Sequence, residues 1–452
     1  MTDSGGDRPR SRFSTPAKPR SQTPLRRHAD TRLTTEQVVV AMLAQVGELR
    51  PARLLLAECR ECILADPIIS SADLPARSLA TRDGFAIRAA DVAEASASLP
   101  VRLRVIGESV PGDPAPNALP AHTAIRVMTG APLPLGADAV VRLEDSRFQQ
   151  STLGQNDVDF LTPAARGQFI GQVGSEFAAG AAALPARLAL GPAELAALAS
   201  LGLTHVLVVP KPRISIVVSG TELRRMVGES DPAKLHASNG VLVTAMVQAC
   251  GGIVESARIV SDDRSELAQA LENALSADLI LTTGGTGRGS RDLMDDVLRC
   301  QEVASMRNVK VKGSRQPTFR LLRDHSGGRV IPHLALPGRS AAAIVAFSLF
   351  AYPLIRRLSG RPARKTQVRR ARLVVVPESV HKSQRFFPVR LRRGKSGWEA
   401  VPTGDASLYG LAAAIAADGF VLLGQTHDEP VSGQRVSVLL LPWREALGAR
   451  DD

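Results

Sequence analysis

Alternating strand-like and helix-like segments after Pro212 constrain the fold more than any other feature of this sequence. RISIVVSG, VESARIVS and ADLILTTGG are apolar runs typical of buried strands, whereas SNGVLVTAMVQACGG and SELAQALENALS have helical spacing. Strand–helix–strand repeats of this kind predict a parallel sheet with right-handed crossovers. Ligands of such sheets bind beyond the carboxyl ends of the strands, where VVSGTEL and LTTGGTG lie.

A glycine-rich loop follows the third of these strands and leads into a predicted helix, with acids such as Asp292 in its first turn. The loop and the helix start supply glycines and short hydroxyl donors at Gly284, Gly285, Thr286, Gly287, Gly289 and Ser290. Bare backbone N–H groups at a helix N-terminus favour an anion. From this stretch alone two interpretations stay open: a phosphate cradle, or a plain tight connection between strand and helix.

The composition and the spacing of apolar residues change along the chain, and these changes predict a tail and four domains. Short strands and turns such as FAIRAAD and VRLRVIGESV begin near Pro75, and helical spacing returns after them. The segment PARLLLAECRECILADPI is predicted to be a helix followed by an extended piece. The predicted boundaries are a disordered basic tail at 1–32, a discontinuous N-terminal domain at 33–74 and 160–206, a β-rich insert at 75–159, an α/β domain at 207–362 and a β-rich C-terminal domain at 363–446.

The composition of the 452 residues argues against several classes of protein. No apolar run is expected to reach the roughly 18 residues of a membrane span, no signal peptide is visible, and four cysteines make no disulfide framework, so a cytoplasmic protein without a membrane partner is expected. The net charge of +12 means that a nucleic-acid partner must be considered. Part of this positive charge lies in residues 1–32, which hold eight Lys and Arg against three Asp. Because aromatics are only 4%, the basic residues are interpreted as solvated surface and tail, with no nucleic-acid partner.

Four short motifs occur in a fixed order along the chain: ATRDGFAIR (80–88), RVMTGAPLPLGADAVVRLED (126–145), TTGGTGRGSRD (282–292) and LALPGRSAAAIVAF (334–347). Together they closely resemble the MoeA family, also seen as the C-terminal part of gephyrin, whose patterns run as MDGYA, TGAPLPxGADAVV, SGGVSVGxxD and LPGNPVSA. TGAPLPLGADAVV is the longest and most specific match. The resemblance covers about residues 33 to 445.

The resemblance implies an α/β multidomain protein of elongated MoeA-like architecture, with a doubly wound MoaB/MogA-like α/β domain and small β-rich domains. It implies a molybdopterin molybdenumtransferase that inserts molybdate into adenylylated molybdopterin and releases AMP, with Mg²⁺ as cofactor. It also implies a homodimer with the active site between subunits. A MogA-type adenylyltransferase or a molybdoenzyme is then a candidate partner.

The resemblance further implies which residues form the site. Asp83 in RDGFA matches the family's aspartate, with a role in handling metal or molybdate across the dimer. Thr129 in TGAP can donate to an oxyanion, and Asp292 can cap the glycine loop or hold Mg²⁺ through water. The candidate pterin-binding residues are the loop residues above together with Pro337 and Gly338. The candidate metal ligands are Asp83, Glu222, Asp262 and Asp263, although the last two are equally well explained as the N-cap of the helix SELAQALENAL.

Departures from the family patterns cluster at these motifs, where acids are lost and arginines gained. SGTEL replaces TGDEL, so that Thr221 stands for an acid, and arginines appear at Arg82, Arg288 and Arg339. Arginine binds phosphate well, whereas fewer acids mean fewer oxygen ligands for a metal. A second hypothesis is therefore a non-catalytic paralogue that binds molybdopterin and delivers cofactor to a molybdoenzyme. The GGTG sequence alone suggests a third, adenylyl transfer; release of AMP from adenylylated molybdopterin separates the first two.

Three other features are interpreted as packing. Cys59 and Cys62 form a CxxC within a predicted helix and lack a second nearby pair for zinc. His333 lies in a predicted strand and is expected to be buried with its polar atoms satisfied. Trp443 is expected to pack in a core rather than bind a ligand.

Overall fold

The computed structural model describes residues 35–149, 156–220, 223–224, 235–236, 238–284, 290–306, 318–324, 326–362, 368–376, 386–404, 411–422 and 430–444. The chain divides into two units. Unit 1 comprises residues 1–46, 212–355 and 363–452, and unit 2 comprises residues 47–211 and 356–362. Helix α1, Thr35–Ala44, belongs to unit 1. The finer division into four domains stays a prediction.

Unit 2 is rich in β-structure, as the alternating sequence from Pro75 onward predicts. Its elements are β1 Ala52–Leu55, β2 Ile63–Leu64, β3 Ile68–Ile69, β4 Leu79–Ala80, β5 Gly84–Ile87, β6 Val101–Ser109, β7 Thr123–Val127, β8 Ala139–Arg142, β9 Ser146–Gln149, β10 Asn156–Phe160, β11 Ile170–Gly171, β12 Ala182–Leu184, helix α2 Pro192–Ser200 and β13 His205–Val209. The largest sheet has the strand order β8-β5-β7-β6-β10-β9. Its core is formed by side chains such as Phe85, Val141 and Phe160.

The predicted helix in PARLLLAECRECILADPI is wrong. Residues Ala52–Leu55 form strand β1, which pairs antiparallel with β13, and only Leu56–Glu58 turn as a short 3-10 helix. Pairing with a strand about 150 residues away overrides the local helical preference, as tertiary contacts often do. Cys59 and Cys62 are buried in a cluster with Leu64 and Leu198, so their predicted packing role is confirmed. Burial raises the pKa of the Cys59 thiol to about 11.

Unit 1 contains the predicted parallel sheet. Its elements before residue 360 are β14 Arg213–Ser219, β15 Leu223–Arg224, β16 Leu235–His236, α3 Ser238–Ala249, β17 Ile253–Val260, α4 Arg264–Ala274, β18 Leu279–Gly284, α5 Ser290–Leu298, β19 Glu302–Met306, β20 Thr318–Arg323, β21 Val330–Leu336 and α6 Ser340–Ala346. The strand order is β17-β14-β18-β21-β20-β19. The first four strands are parallel, and β20 and β19 continue the sheet antiparallel. An apolar layer that includes Val217, Leu271 and Leu298 joins the sheet to α4 and α5.

After residue 367 the chain forms a closed five-stranded barrel, which confirms the predicted β-rich character of this region. Its elements are β22 Val368–Leu373, β23 Phe386–Gly394, β24 Gly397–Pro402, α8 Leu411–Ala416, β25 Gly419–Leu422 and β26 Arg435–Leu440, with β22, β24, β23, β25 and β26 neighbouring in turn. Trp443 follows the last strand and meets Phe347 edge-on at a ring-centroid distance of 6.2 Å, which confirms its predicted packing role.

One apolar helix in the described part of the chain has the length and hydropathy of a membrane span. It runs from Ser340 to Leu358, where α6 and helix α7, Tyr352–Leu358, are joined by a π-helical segment, Phe347–Ala351. The uninterrupted apolar part of this helix ends before Arg356 and Arg357 and is shorter than such a span. Because 78% of its most apolar 18-residue stretch is buried inside the protein, a position in the protein core explains its apolar composition.

Candidate functional site

Asp83 and Thr129, which are distant in the sequence, meet in unit 2. Strands β5 and β7 pair antiparallel with Gly84 opposite Val127, so the residue before β5 lies beside the turn that follows β7. The backbone N–H of Thr129 donates to Oδ1 of Asp83 at 2.6 Å, and the Thr129 hydroxyl donates to the same oxygen at 2.8 Å. Two of the three predicted catalytic residues are therefore in direct contact.

The Asp83 carboxylate is held in its charged form although it is exposed to solvent. The backbone N–H of Thr129, then its hydroxyl, and more weakly the nearby Arg126 hold the pKa of this carboxyl below its usual value, against a small opposing effect of burial. Oδ2 accepts no hydrogen bond from the described residues, so one carboxylate oxygen remains available. The site thus presents an anionic oxygen in a fixed orientation.

This geometry changes the role predicted for Thr129. As a donor to a substrate oxyanion its N–H and hydroxyl would have to be available, but both are committed to Asp83. Thr129 instead fixes the Asp83 carboxylate and favours its ionised form. The TGAP turn is therefore a support for the aspartate of RDGFA.

Gly84, the residue after Asp83, explains why a glycine follows this aspartate. A Cβ at Gly84 would lie 1.9 Å from the carbonyl oxygen of Val141 on β8, closer than any side chain tolerates. The backbones of β5 and β8 are therefore in close contact at Gly84, directly after Asp83. The close approach fixes the direction in which the aspartate projects.

A second candidate site lies at the carboxyl edge of the parallel sheet in unit 1. Gly284 ends β18 opposite Ser219, the last residue of β14, with a φ of +91°. A Cβ at Gly284 would lie 1.9 Å from the Ser219 carbonyl oxygen, so only glycine fits. The first glycine of the predicted cradle is thus required by the backbone itself.

Asn239, in the first turn of α3, connects three segments at this edge and was not among the predicted site residues. Its Nδ2 donates to the carbonyl oxygen of Gly338 at 2.5 Å and lies 3.5 Å from the Thr283 hydroxyl. Its Oδ1 accepts from the Ser340 hydroxyl at 2.8 Å. The sequence did contain a signal, since SNG begins a helix at the edge where ligands of parallel sheets bind. Asn239 was nevertheless missed because its hydrogen-bond partners lie 44 to 101 residues away in the sequence.

The predicted pterin-binding pair Pro337 and Gly338 belongs to the same network. The Thr283 hydroxyl donates to the Pro337 carbonyl oxygen at 3.1 Å, while Asn239 holds Gly338. The side chain of Ser219 is buried at this edge, and its hydroxyl has no hydrogen-bond partner in the described structure. The described groups that meet around Asn239 are therefore neutral and polar, and the backbone beside them is closely packed.

Several predicted site residues lie outside the described residues, namely Gly285, Thr286, Gly287, Gly289 and Glu222. Ser290 and Asp292 fall in the first turn of α5, but their side chains are outside the description as well. The phosphate cradle is therefore described only at its two ends, Gly284 and the start of α5. A helix that starts directly after a glycine loop agrees with the predicted anion site.

The candidate metal ligands Asp262 and Asp263 lie between β17 and α4. Asp263 is the N-cap of α4, because its Oδ1 accepts from the backbone N–H groups of Ser265 and Glu266, both at 2.9 Å. For Asp263 the capping alternative left open by the sequence therefore holds. Among the residues that the structure describes, no group of three or more His, Cys, Asp or Glu side chains is arranged to hold a metal ion.

A buried charged network anchors helix α5, which carries the predicted Asp292. Arg320 of β20 is almost fully buried and forms ion pairs with Asp295 of α5 and, at 3.3 Å, with Glu302. Arg320 also lies 3.4 Å from Nδ1 of His333, whose Nε2 is 3.1 Å from the Thr282 hydroxyl. His333 is thus buried with both ring nitrogens engaged, as predicted, and burial together with Arg320 keeps its pKa well below the usual range.

Comparisons with known proteins match most of the folded chain. The sequence model of the MoeA N-terminal region (domain I and II) matches residues 33–202, and that of a probable molybdopterin binding domain matches residues 215–357. A molybdopterin molybdenumtransferase of Staphylococcus epidermidis is 26% identical over 411 residues, 91% of this chain and 96% of that protein. Molybdopterin molybdenumtransferase 2 of Mycobacterium tuberculosis is 30% identical over 318 residues, 69% of this chain and 76% of that protein.

A solved structure agrees with these matches. The molybdopterin biosynthesis MoeA protein from Pyrococcus horikoshii superposes with a TM-score of 0.66 at 26% identity, covering 91% of this chain and 99% of that chain. The likeness extends over both units, so it is not limited to the widespread α/β sheet.

Proposed function

The chain belongs to the MoeA family of molybdenum cofactor biosynthesis proteins, and on that premise we propose that it acts as a molybdopterin molybdenumtransferase. The family and the α/β multidomain fold read from the four motifs are confirmed. The observation that carries the proposal is the Asp83 carboxylate, which Thr129 of the most specific motif orients and keeps ionised. Relatives named as transferases favour catalysis over the alternative of a non-catalytic cofactor carrier.

The proposed substrates are adenylylated molybdopterin and molybdate. Hydrolysis of the phosphoanhydride bond between AMP and the pterin phosphate consumes water and releases AMP. Molybdate loses oxygen as water when its molybdenum binds the two dithiolene sulfurs of the pterin. The close-packed backbone at Gly284 and the start of α5 support this substrate, since bare main chain at a helix N-terminus suits a phosphate. The polar groups around Asn239 and Gly338, with Arg339 next in the chain, are suited to hold the polar pterin end.

Mg²⁺ is part of the proposal, and Asp83 is the described residue that fits it best. Mg²⁺ is usually bound by one or two carboxylates together with substrate phosphates and water, so a cluster of three acids is not required. Oδ2 of the ionised Asp83 offers a hard oxygen ligand, whereas Asp263 is engaged as a helix cap. When bound, the ion neutralises charge on the substrate phosphates; Glu222 and Asp262 remain candidate ligands.

A homodimer is proposed from the family resemblance, with Asp83 and Thr129 contributed across the subunit interface. A MogA-type adenylyltransferase would supply the adenylylated substrate, and a molybdoenzyme would receive the finished cofactor. Light scattering of the purified full chain tests the dimer independently of activity. A monomer at micromolar concentration would contradict a site shared between subunits.

The reaction is tested by incubating the purified chain with adenylylated molybdopterin, molybdate and Mg²⁺ and measuring AMP. We expect AMP to form with multiple turnovers and to depend on molybdate. Tight pterin binding without AMP above the background of a heat-denatured sample would overturn the proposal and support the carrier instead. Complementation of a strain that lacks its molybdenum-insertion enzyme provides the matching test in cells.

A further inference from the structure

Four arginines lie in a row on the outer surface of the C-terminal barrel, with Glu399 between two of them. Arg372 on β22 lies opposite Arg435 on β26 and, on its other side, opposite Glu399 on β24. Glu399 in turn lies opposite Arg392 on β23, and Arg370 is two residues from Arg372 on the same strand. We call Arg370, Arg372, Arg392 and Arg435 the arginine row.

Strand alternation makes this row point outward. The residues between and beside its members, Ala371, Leu373 and Val436, are buried in the barrel core, and successive side chains of a strand point to opposite faces. All four arginines are exposed. The row is therefore a face of the barrel and not part of its interior.

The row carries charge that the described chain does not neutralise. Arg392 pairs with Glu399 at 2.8 Å, but Arg370, Arg372 and Arg435 form no ion pair with any described carboxylate. Over its described residues the barrel holds nine Arg and Lys against two acids, Glu399 and Asp418. Asp418 is occupied by the backbone N–H of Leu391. The described part of this surface is thus positive.

The pairing of Arg372 with Arg435 works against folding. Like charges directly opposite each other on antiparallel strands destabilise the pair, and either position would tolerate a neutral side chain on a solvent-exposed face. An anion that lies between the two guanidinium groups would reverse this repulsion. The unfavourable arrangement is what a binding surface for carboxylates or phosphates requires.

Two further arginines of these strands lie on the opposite face, over an aromatic ring. The guanidinium carbons of Arg369 and Arg393 lie 4.4 Å and 4.5 Å from the ring centroid of Trp398. Arg369 precedes Arg370 and Arg393 follows Arg392, so strand alternation separates both from the arginine row.

We propose that the arginine row is a docking surface for an extended acidic segment of a partner protein. Arg370 and Arg372 are about 6.6 Å apart along the strand, the spacing of alternate side chains in an extended peptide, and guanidinium forks match carboxylates. No aromatic side chain of the described barrel is exposed for stacking with bases, which disfavours a single-stranded nucleic acid. This inference does not depend on the proposed reaction.

Fluorescence anisotropy of a labelled twelve-residue peptide of alternating Glu and Thr, titrated with the full chain, tests the docking surface. We expect saturable binding that weakens at high salt and is absent for the same peptide with Gln in place of Glu. The triple variant Arg370→Gln, Arg372→Gln, Arg435→Gln is expected to bind about tenfold more weakly. Its circular dichroism spectrum and urea unfolding midpoint should equal those of the unmodified chain, which shows that it is folded.

A control variant with the same change of net charge separates this site from a general charge effect. Arg53→Gln, Arg104→Gln, Arg258→Gln removes three exposed arginines from other strands and should leave peptide affinity within twofold. Equal loss in both variants, or no binding of the acidic peptide, would overturn the proposal. An oligo-dT strand that binds more tightly than the peptide and depends on the same three arginines would overturn it in favour of nucleic acid.

Discussion

Asp83 and Thr129 meet at an exposed turn between β-strands, whereas Gly284, Asn239 and Ser219 are packed at the edge of a parallel sheet. The exposed site holds a full negative charge, which solvent and two donors stabilise. The described groups that meet at Asn239 and Ser219 on the sheet edge are neutral, and the Asn239 amide is hydrogen-bonded within the chain. The two regions therefore differ: one presents an available anionic oxygen, and the other is a hydrogen-bonded junction of several segments.

This difference also separates the consequences of substitution. The exposed carboxylate depends on one neighbour, so changes there should alter chemistry and leave stability nearly unchanged. The sheet edge joins β14, β18, α3 and the turn before α6, so changes there should affect folding and binding together. Each prediction below tests one side of this contrast.

The largest effect is expected for Gly284→Ala. The added methyl would lie 1.9 Å from the Ser219 carbonyl oxygen at a φ of +91°, so the edge must open. We expect a loss of at least about 3 kcal/mol in the free energy of unfolding, measured with urea. Gly107→Ala, where the methyl meets open space, is the control and should cost far less; similar values for both would refute the close packing.

Asn239→Ala should give the next largest effect. It removes the donor to Gly338 and the acceptor for Ser340, and lost hydrogen bonds of partly buried groups cost about 1–3 kcal/mol. We expect molybdopterin affinity to fall about tenfold, as measured by fluorescence titration. Gln248→Ala, an exposed change at the other end of α3, should leave affinity unchanged. Unaltered affinity in the Asn239 variant would separate this residue from the site.

The buried His333 should make the sheet, but not the exposed site, sensitive to mild acid. Its folded-state pKa lies well below the ordinary 6.5, so the unfolded chain binds the extra proton first as pH falls. Stability is therefore complete above about 6.5 and declines below it, which urea unfolding at a series of pH values measures. His333→Gln should flatten this dependence between pH 7 and 5; an unchanged slope would exclude His333 as its source.

Thr129→Val should give the smallest effect, a shift in pH dependence. The variant keeps the backbone N–H but loses the hydroxyl donor to Asp83, so the pKa of that carboxyl rises toward its usual value. Since the ionised form is the working form, the acid limb of the rate profile should move to higher pH. Thr123→Val, whose hydroxyl donates to the Pro120 carbonyl oxygen instead, should leave the limb in place.

The sequence predicted the parallel sheet well because its pattern is local. The strands Arg213–Ser219, Ile253–Val260 and Leu279–Gly284 and the helices between them are evident from hydrophobic spacing alone. The strand at Ala52–Leu55 was missed because its partner, His205–Val209, is distant and invisible to a local pattern. Local propensity there favours a helix, and long-range pairing decides otherwise.

The sequence predicted which residues form the candidate site, but not how these residues contact one another. Motif resemblance indicated Asp83 and Thr129, yet their contact depends on the register of β5 and β7, which the sequence does not state. Asn239 was missed because its importance lies in reaching Gly338 and Ser340 of a distant turn. For Asp263, spacing allowed both a metal ligand and a helix cap, and only hydrogen-bond geometry distinguishes them.

The central claim is that Asp83 serves the reaction, whereas the sheet edge at Gly284 and Asn239 serves pterin binding. The most direct test is to measure molybdopterin affinity and AMP release on the same preparation of the Asp83→Asn variant. Asp157→Asn, a change of another aspartate in unit 2, serves as the control. The account predicts that the Asp83 variant keeps its affinity within twofold while AMP release falls about a hundredfold. AMP release that survives, or affinity that falls in parallel with it, would contradict the assignment of the chemical step to this carboxylate.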